Sequence, residues 1–130
     1  MNISRIAIGL ALAAGAMDLL TGLGLVTSPA NTLKLMQVPL PGVEALFYLR
    51  FVGAFVASIG AIYLWAARHP QVRMRPIFGA TLLPRIAAGS FTGVAVLLGS
   101  LPMPWLSVTM TDLTLVAVQL WLLGSWKTSE

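Results

Sequence analysis

The sequence predicts an all-α protein, an integral membrane four-helix up-down bundle made by a single transmembrane domain over residues 1–130. Three observations predict it. The chain is 58% hydrophobic and 9% charged, where a soluble domain carries about a quarter charged residues. Too few charges remain to cover a water-facing surface. Four apolar runs cover residues 6–26, 45–67, 77–99 and 104–124, each near or above the roughly 20 residues that a helix needs to cross the hydrocarbon. The helix breakers fall between these runs, and 130 residues leave no room for a separate soluble module.

The first run follows Arg5 and passes through Ala14-Gly15-Ala16, a stretch resembling a signal-peptide cleavage site. The apolar run continues beyond it, so a retained span is the reading rather than a cleaved leader. Ser28-Pro29 has the form of an N-cap followed by proline at N1. Residues 29–38, with Leu33, Lys34 and Met36, fit a short helix lying at the interface or a plain loop. Pro39, Pro41 and Gly42 precede the second run, where Glu44 complements the positive end of the helix. Pro76 opens the third run. Pro84, inside it, is expected to kink that helix or shorten its first part. Pro102 and Pro104 open the fourth.

The formal charge of +4 reads as orientation rather than nucleic-acid binding. Arg68, Arg73 and Arg75 lie in the connection between runs two and three, and Arg5 and Lys127 lie near the termini. Basic residues mark the cytoplasmic side, so that connection and both termini are expected in the cytoplasm. The opposite loops carry only Lys34 and Glu44. Tyr48 and Trp105 then map to the outer interface, and Tyr63, Trp65, Trp121 and Trp126 to the inner one. No basic run is long enough for a phosphate-contacting stripe. The absence of cysteine excludes disulfides and thiol chemistry, and His69 is the only histidine, expected to be a solvated loop residue. The six methionines are scattered, as filler is. With no phosphate-binding glycine loop, nucleophile elbow or metal motif, no cofactor or metal is expected.

Each apolar run carries one fixed charge: Asp18, Arg50, Arg85 and Asp112. Charge inside the hydrocarbon is expensive and marks a functional site by default. At a rise of about 1.5 Å per residue, Asp18 and Asp112 fall roughly 3 Å outside the midplane, Arg50 roughly 9 Å outside and Arg85 roughly 4–5 Å inside. Arginine spans such offsets, matches a carboxylate with its planar fork and cannot lose its proton. All four charges are therefore expected in one neutral cluster of Arg–Asp pairs. The helix faces agree. Ala11, Gly15, Asp18 and Gly22 share a face in the first run, and Arg50, Gly53, Ala57 and Gly60 in the second. Thr81, Arg85, Ala88, Gly89 and Thr92 share one in the third, and Thr109, Asp112, Val116 and Gln119 in the fourth. Small residues let helices approach closely and polar ones bond across the seam.

Two roles fit the pattern. The charges fix helix register and nothing more, or they line a polar-ligand site, to which Gln119 and Thr92 add polar groups beyond those needed for neutralisation. In the second case the inward glycines Gly15, Gly22, Gly53, Gly60 and Gly89 leave room for a pocket with apolar walls, its mouth in the outer half.

The stretch Arg50-Phe51-Val52-Gly53-Ala54-Phe55, with Gly60 and Tyr63, then Arg85 early in a third span and Asp112 with Gln119 in a fourth, resembles small bacterial four-span proteins of the DoxX-like group. The likeness covers most of the chain by layout, through short motifs, and Met17-Asp18-Leu19-Leu20 has no counterpart in it. Many proteins of that group have no settled activity and some are membrane subunits associated with quinone-linked oxidoreductases; the resemblance implies a protein of the bacterial inner membrane. The resulting expectation is a membrane subunit or binding protein for a lipid-like or quinone-like molecule, alone in the bilayer, as a homo-oligomer or within a larger membrane complex. The alternatives are an intramembrane enzyme with Asp18 or Asp112 as acid/base and an arginine as clamp, and a proton-coupled exporter, which ranks last because arginines repel cationic drugs.

Overall fold

The computed structural model describes residues 2–126, and all regular structure among them is helical. Five helices follow in order: α1 (Ile3–Thr27), α2 (Pro29–Leu35), α3 (Val43–Ala67), α4 (Pro70–Leu97) and α5 (Leu106–Ser125), the last entered through a single 3-10 turn, Met103–Trp105. Four segments, α1, α3, α4 and Met103–Ser125, are long and apolar enough to cross a membrane. Lys127 lies outside the described residues.

The ends are set by local chemistry. Asn2 caps α1, its side-chain oxygen accepting from the Arg5 amide. Ser28 and Pro29 start α2 as expected, so residues 29–35 are helix rather than loop. That helix stops at Gln37, a non-glycine residue in the left-handed region (φ 60°), with Val38 N–H donating to Leu33 C=O at 2.9 Å. Helix α4 ends the same way on Gly99 (φ 74°), where Ser100 N–H reaches Ala95 C=O and Gly99 N–H reaches Val96 C=O. Both are Schellman closures, and glycine is the residue that takes this conformation without steric cost.

The start of α4, and the shortening that was one of the two outcomes expected at Pro84, require correction. The helix begins at Pro70 rather than after Pro76, and it runs unbroken through Pro76 and Pro84, so neither proline shortens it. The connection from α3 is only Arg68 and His69. Arg73 and Arg75 are therefore helical residues. Arg73 lies over the Trp65 ring at 4.0 Å and donates to Trp65 C=O, while Arg75 donates to Trp126 C=O.

Packing follows the small-residue faces. Helices α1 and α3 meet backbone to backbone in antiparallel register, Gly15 opposite Gly60 and Gly22 opposite Gly53. Helices α4 and α5 form the second antiparallel pair, Arg85 opposite Asp112 and Thr92 opposite Thr109. The pairs join through α3 and α4 and through α1's contacts with α4 and α5. Two apolar cores close the ends. One is built from Ala7, Ala11, Tyr63, Ala66, Met74, Phe78 and Leu122, drawn from all four long helices. The other gathers Leu25, Leu33 and Val38, with Leu46, Leu49 and Trp105 against them. The charged residues lie between.

Candidate functional site

Three of the four expected charges come together. Arg85 donates from Nη2 to Asp18 Oδ2 at 2.6 Å and from Nη1 to Asp112 Oδ1 at 2.7 Å. One guanidinium thus links three helices, α1, α4 and α5. The Arg85 side chain is 5% exposed, against 11% for Asp18 and 15% for Asp112. Asp112 is the more open acid because α5 is the less covered helix, burying only Val116, Gln119 and Leu122.

The third arm of Arg85, Nε, donates to the Tyr63 hydroxyl at 3.0 Å, so α3 joins the network through a tyrosine. The hydroxyl donates in turn to Thr81 Oγ1 at 2.8 Å, and Thr81 donates to Ile77 C=O. Gln119 Nε2 donates to both Tyr63 Oη (2.6 Å) and Thr81 Oγ1 (3.1 Å). Although α3 and α5 are not packed together, this side-chain bridge connects them. Gln119 Oε1 is buried with no partner. Such an orphan acceptor is unusual in a packed interior and calls for a cause.

Arg50 is a correction. It is exposed and takes no part in the cluster; its Nη1 donates to Val26 C=O and Thr27 C=O at the end of α1. Those carbonyls have no partner within the helix, and the C-terminal end of a helix attracts a cation. Near the start of α3, a long side chain finds that cheaper destination before it finds a buried acid. Thr92 is buried but belongs to a separate rung, bonded to Thr109 at 2.8 Å and to Ala88 C=O, two turns from Arg85. Gln119 joins the network as a donor to Tyr63 rather than directly to a charge.

Tyr63 and Thr81 are the residues whose role in the site was not foreseen. Tyr63 sits near a helix end and so reads as an interfacial anchor, yet it is 1% exposed. The signal was its position three residues after Gly60, on the face that already held Gly53 and Ala57.

The glycines do not open a pocket. A Cβ on Gly15 would stand 3.0 Å from Gly60 O, one on Gly22 2.6 Å from Gly53 O, and one on Gly60 2.6 Å from Gly15 O. At Gly89 the neighbour is the Asp112–Leu113 side-chain pair, 3.1–3.2 Å away. All five glycine positions are filled by helix contact. A groove of about 440 Å³ lies elsewhere, at the far end of α4, lined by Ser90, Phe91, Val94, Ala95, Leu98 and Ser100.

What the arrangement can do is set by its inventory. All three nitrogens of the Arg85 fork donate into the network, and the guanidinium engages one oxygen of each carboxylate. The second oxygens and Gln119 Oε1 leave the site rich in acceptors and poor in donors. No family model, curated protein or solved structure matches the chain.

Proposed function

We propose that this is a multi-pass protein of the bacterial inner membrane, crossing it four times as an up-down bundle with both termini cytoplasmic. We assign to it the binding of a lipid-like or quinol-like molecule that presents a hydroxyl or another donor to Asp112. The second oxygen of Asp112, which Arg85 leaves free on the more exposed of the two acids, carries this reading. Such a site complements a donor. The greater exposure of Asp112 supports an approach at the side of α5, from the bilayer, rather than through a preformed central cavity. The layout shared with the DoxX-like group supports the same class of ligand.

A second reading is favoured by the glycine seam: the network serves only to fix helix register. Native mass spectrometry of the whole protein from mild detergent separates the two. A bound lipid-like or quinol-like mass in the wild type, lost in Asp112→Asn, is the expected result. The same non-specific lipid adducts in both proteins would leave the register role alone standing.

A further inference from the structure

We propose that the Asp18–Arg85–Asp112 triad is a binding site for one proton, held on one of the two carboxylates. The argument is a charge count. The site holds two carboxyl groups and one guanidinium, and the second arginine that would have balanced them, Arg50, is spent on the carbonyls of Val26 and Thr27. Helix α1 brings Asp18, α3 brings Tyr63, α4 brings Arg85 and α5 brings Asp112; among the described residues no other titratable side chain is bonded to the triad. With both acids ionised, the triad carries one uncompensated negative charge between two apolar cores, and such a charge is neutralised rather than tolerated.

Arginine cannot supply the remedy by changing its own state. The balance therefore comes from one added positive charge. Gln119 points to the same deficiency from a second direction. It is 1% exposed, its amide lies in the network on the Tyr63 hydroxyl that also accepts from Arg85, and its Oε1 has no donor. At this end too the network is short of a donor. A proton needs no coordination shell and fits a site in which all five glycines are closed by helix contact. Protonation is simple addition: the carboxylate gains a proton and becomes a neutral acid, and the net charge of the triad falls to zero. This inference stands apart from the ligand reading, since the proton is required whether or not a lipid-like molecule binds.

Infrared spectroscopy of the full-length protein in liposomes tests it. Only four acidic residues are present in the chain, so the carbonyl stretch of a protonated carboxylic acid has few sources. At neutral pH the wild type is expected to show that band, equivalent to one group, and to lose it as the pH is raised. Asp18→Asn and Asp112→Asn each leave one acid facing one arginine, and each is expected to abolish the band. The wild-type spectrum decides by itself whether a proton is held, so a variant that fails to fold does not protect the proposal. No band in the wild type overturns it. So does a band that survives both substitutions, or one that sodium ions remove at constant pH, which would make the occupant a metal cation. A band without any bound molecule in mass spectrometry would sink the ligand reading and leave the proton site intact.

Discussion

Arg85 is one cation divided between two acids, and this asymmetry orders the damage that substitutions do. Arg85→Leu strands both carboxylates and is expected to cost about 3–5 kcal/mol, the range for breaking a buried pair from one side. Asp18→Asn and Asp112→Asn leave a balanced pair and an amide of the same shape, so thermal unfolding in mild detergent should rank both well above Arg85→Leu. Similar melting of all three would mean that the triad is not a buried network. Tyr63→Phe removes a hydroxyl that accepts from Arg85 and Gln119 and donates to Thr81; a loss of about 1–3 kcal/mol is expected, since the donors it satisfied stay buried. Asp18, Arg85 and Asp112 were legible in the sequence because fixed charge amid apolar residues has few tolerable destinations. Arg50 was not, because its flexible stem offers it a choice, and the free carbonyls that decide the choice appear only once α1 and α3 are set side by side.

At the scale of the elements, the four long helices were readable from length and composition, and the small-residue faces from spacing. The start of α4 was misjudged. Arg, Met and Gln between Pro70 and Pro76 are good helix formers, and an internal proline removes one hydrogen bond without ending a helix that packing holds in place. The glycines showed which faces meet but not how closely. Substitution measures that closeness. Gly60→Ala places a methyl group 2.6 Å from the Gly15 carbonyl, where backbone must move, and is expected to cost at least the roughly 1–3 kcal/mol of an overpacked core. Gly9→Ala meets nothing within 4 Å and is expected to stabilise α1 slightly, by up to about 1 kcal/mol of helix propensity. Equal effects of the two on unfolding temperature would rule out close backbone contact at the seam.

For the whole molecule, the proposed topology makes a prediction of its own. The chain has no cysteine, so a single engineered one reports without background. Arg73→Cys should label from the cytoplasmic side of the inner membrane and Trp105→Cys from the opposite side. Cytoplasmic labelling of position 105 would sink the four-span arrangement. This orientation rests on the positions of the basic residues along the chain, and the labelling decides it. The partition into two helix pairs was not readable. It depends on Gly15 meeting Gly60 and Gly22 meeting Gly53 across some thirty to forty-five residues of chain, and nothing local announces such a match.

That partition bears on how the protein is made. In the first hairpin, α1 with α3, Asp18 has no cation bonded to it, since Arg50 is held by the Val26 and Thr27 carbonyls, whereas the second, α4 with α5, contains a complete pair in Arg85 and Asp112. Synthesis delivers the unmatched half first. An early hairpin with a lone acid on its packing face would have to keep that acid open to water or protonated until Arg85 arrives, and Asp18 would then be the point on which the second hairpin closes. The two-residue join at Arg68-His69 is the natural place to divide the gene. Halves expressed together from such a division should reassemble when Asp18 and Arg85 are both present, and fail to copurify when either is replaced by leucine.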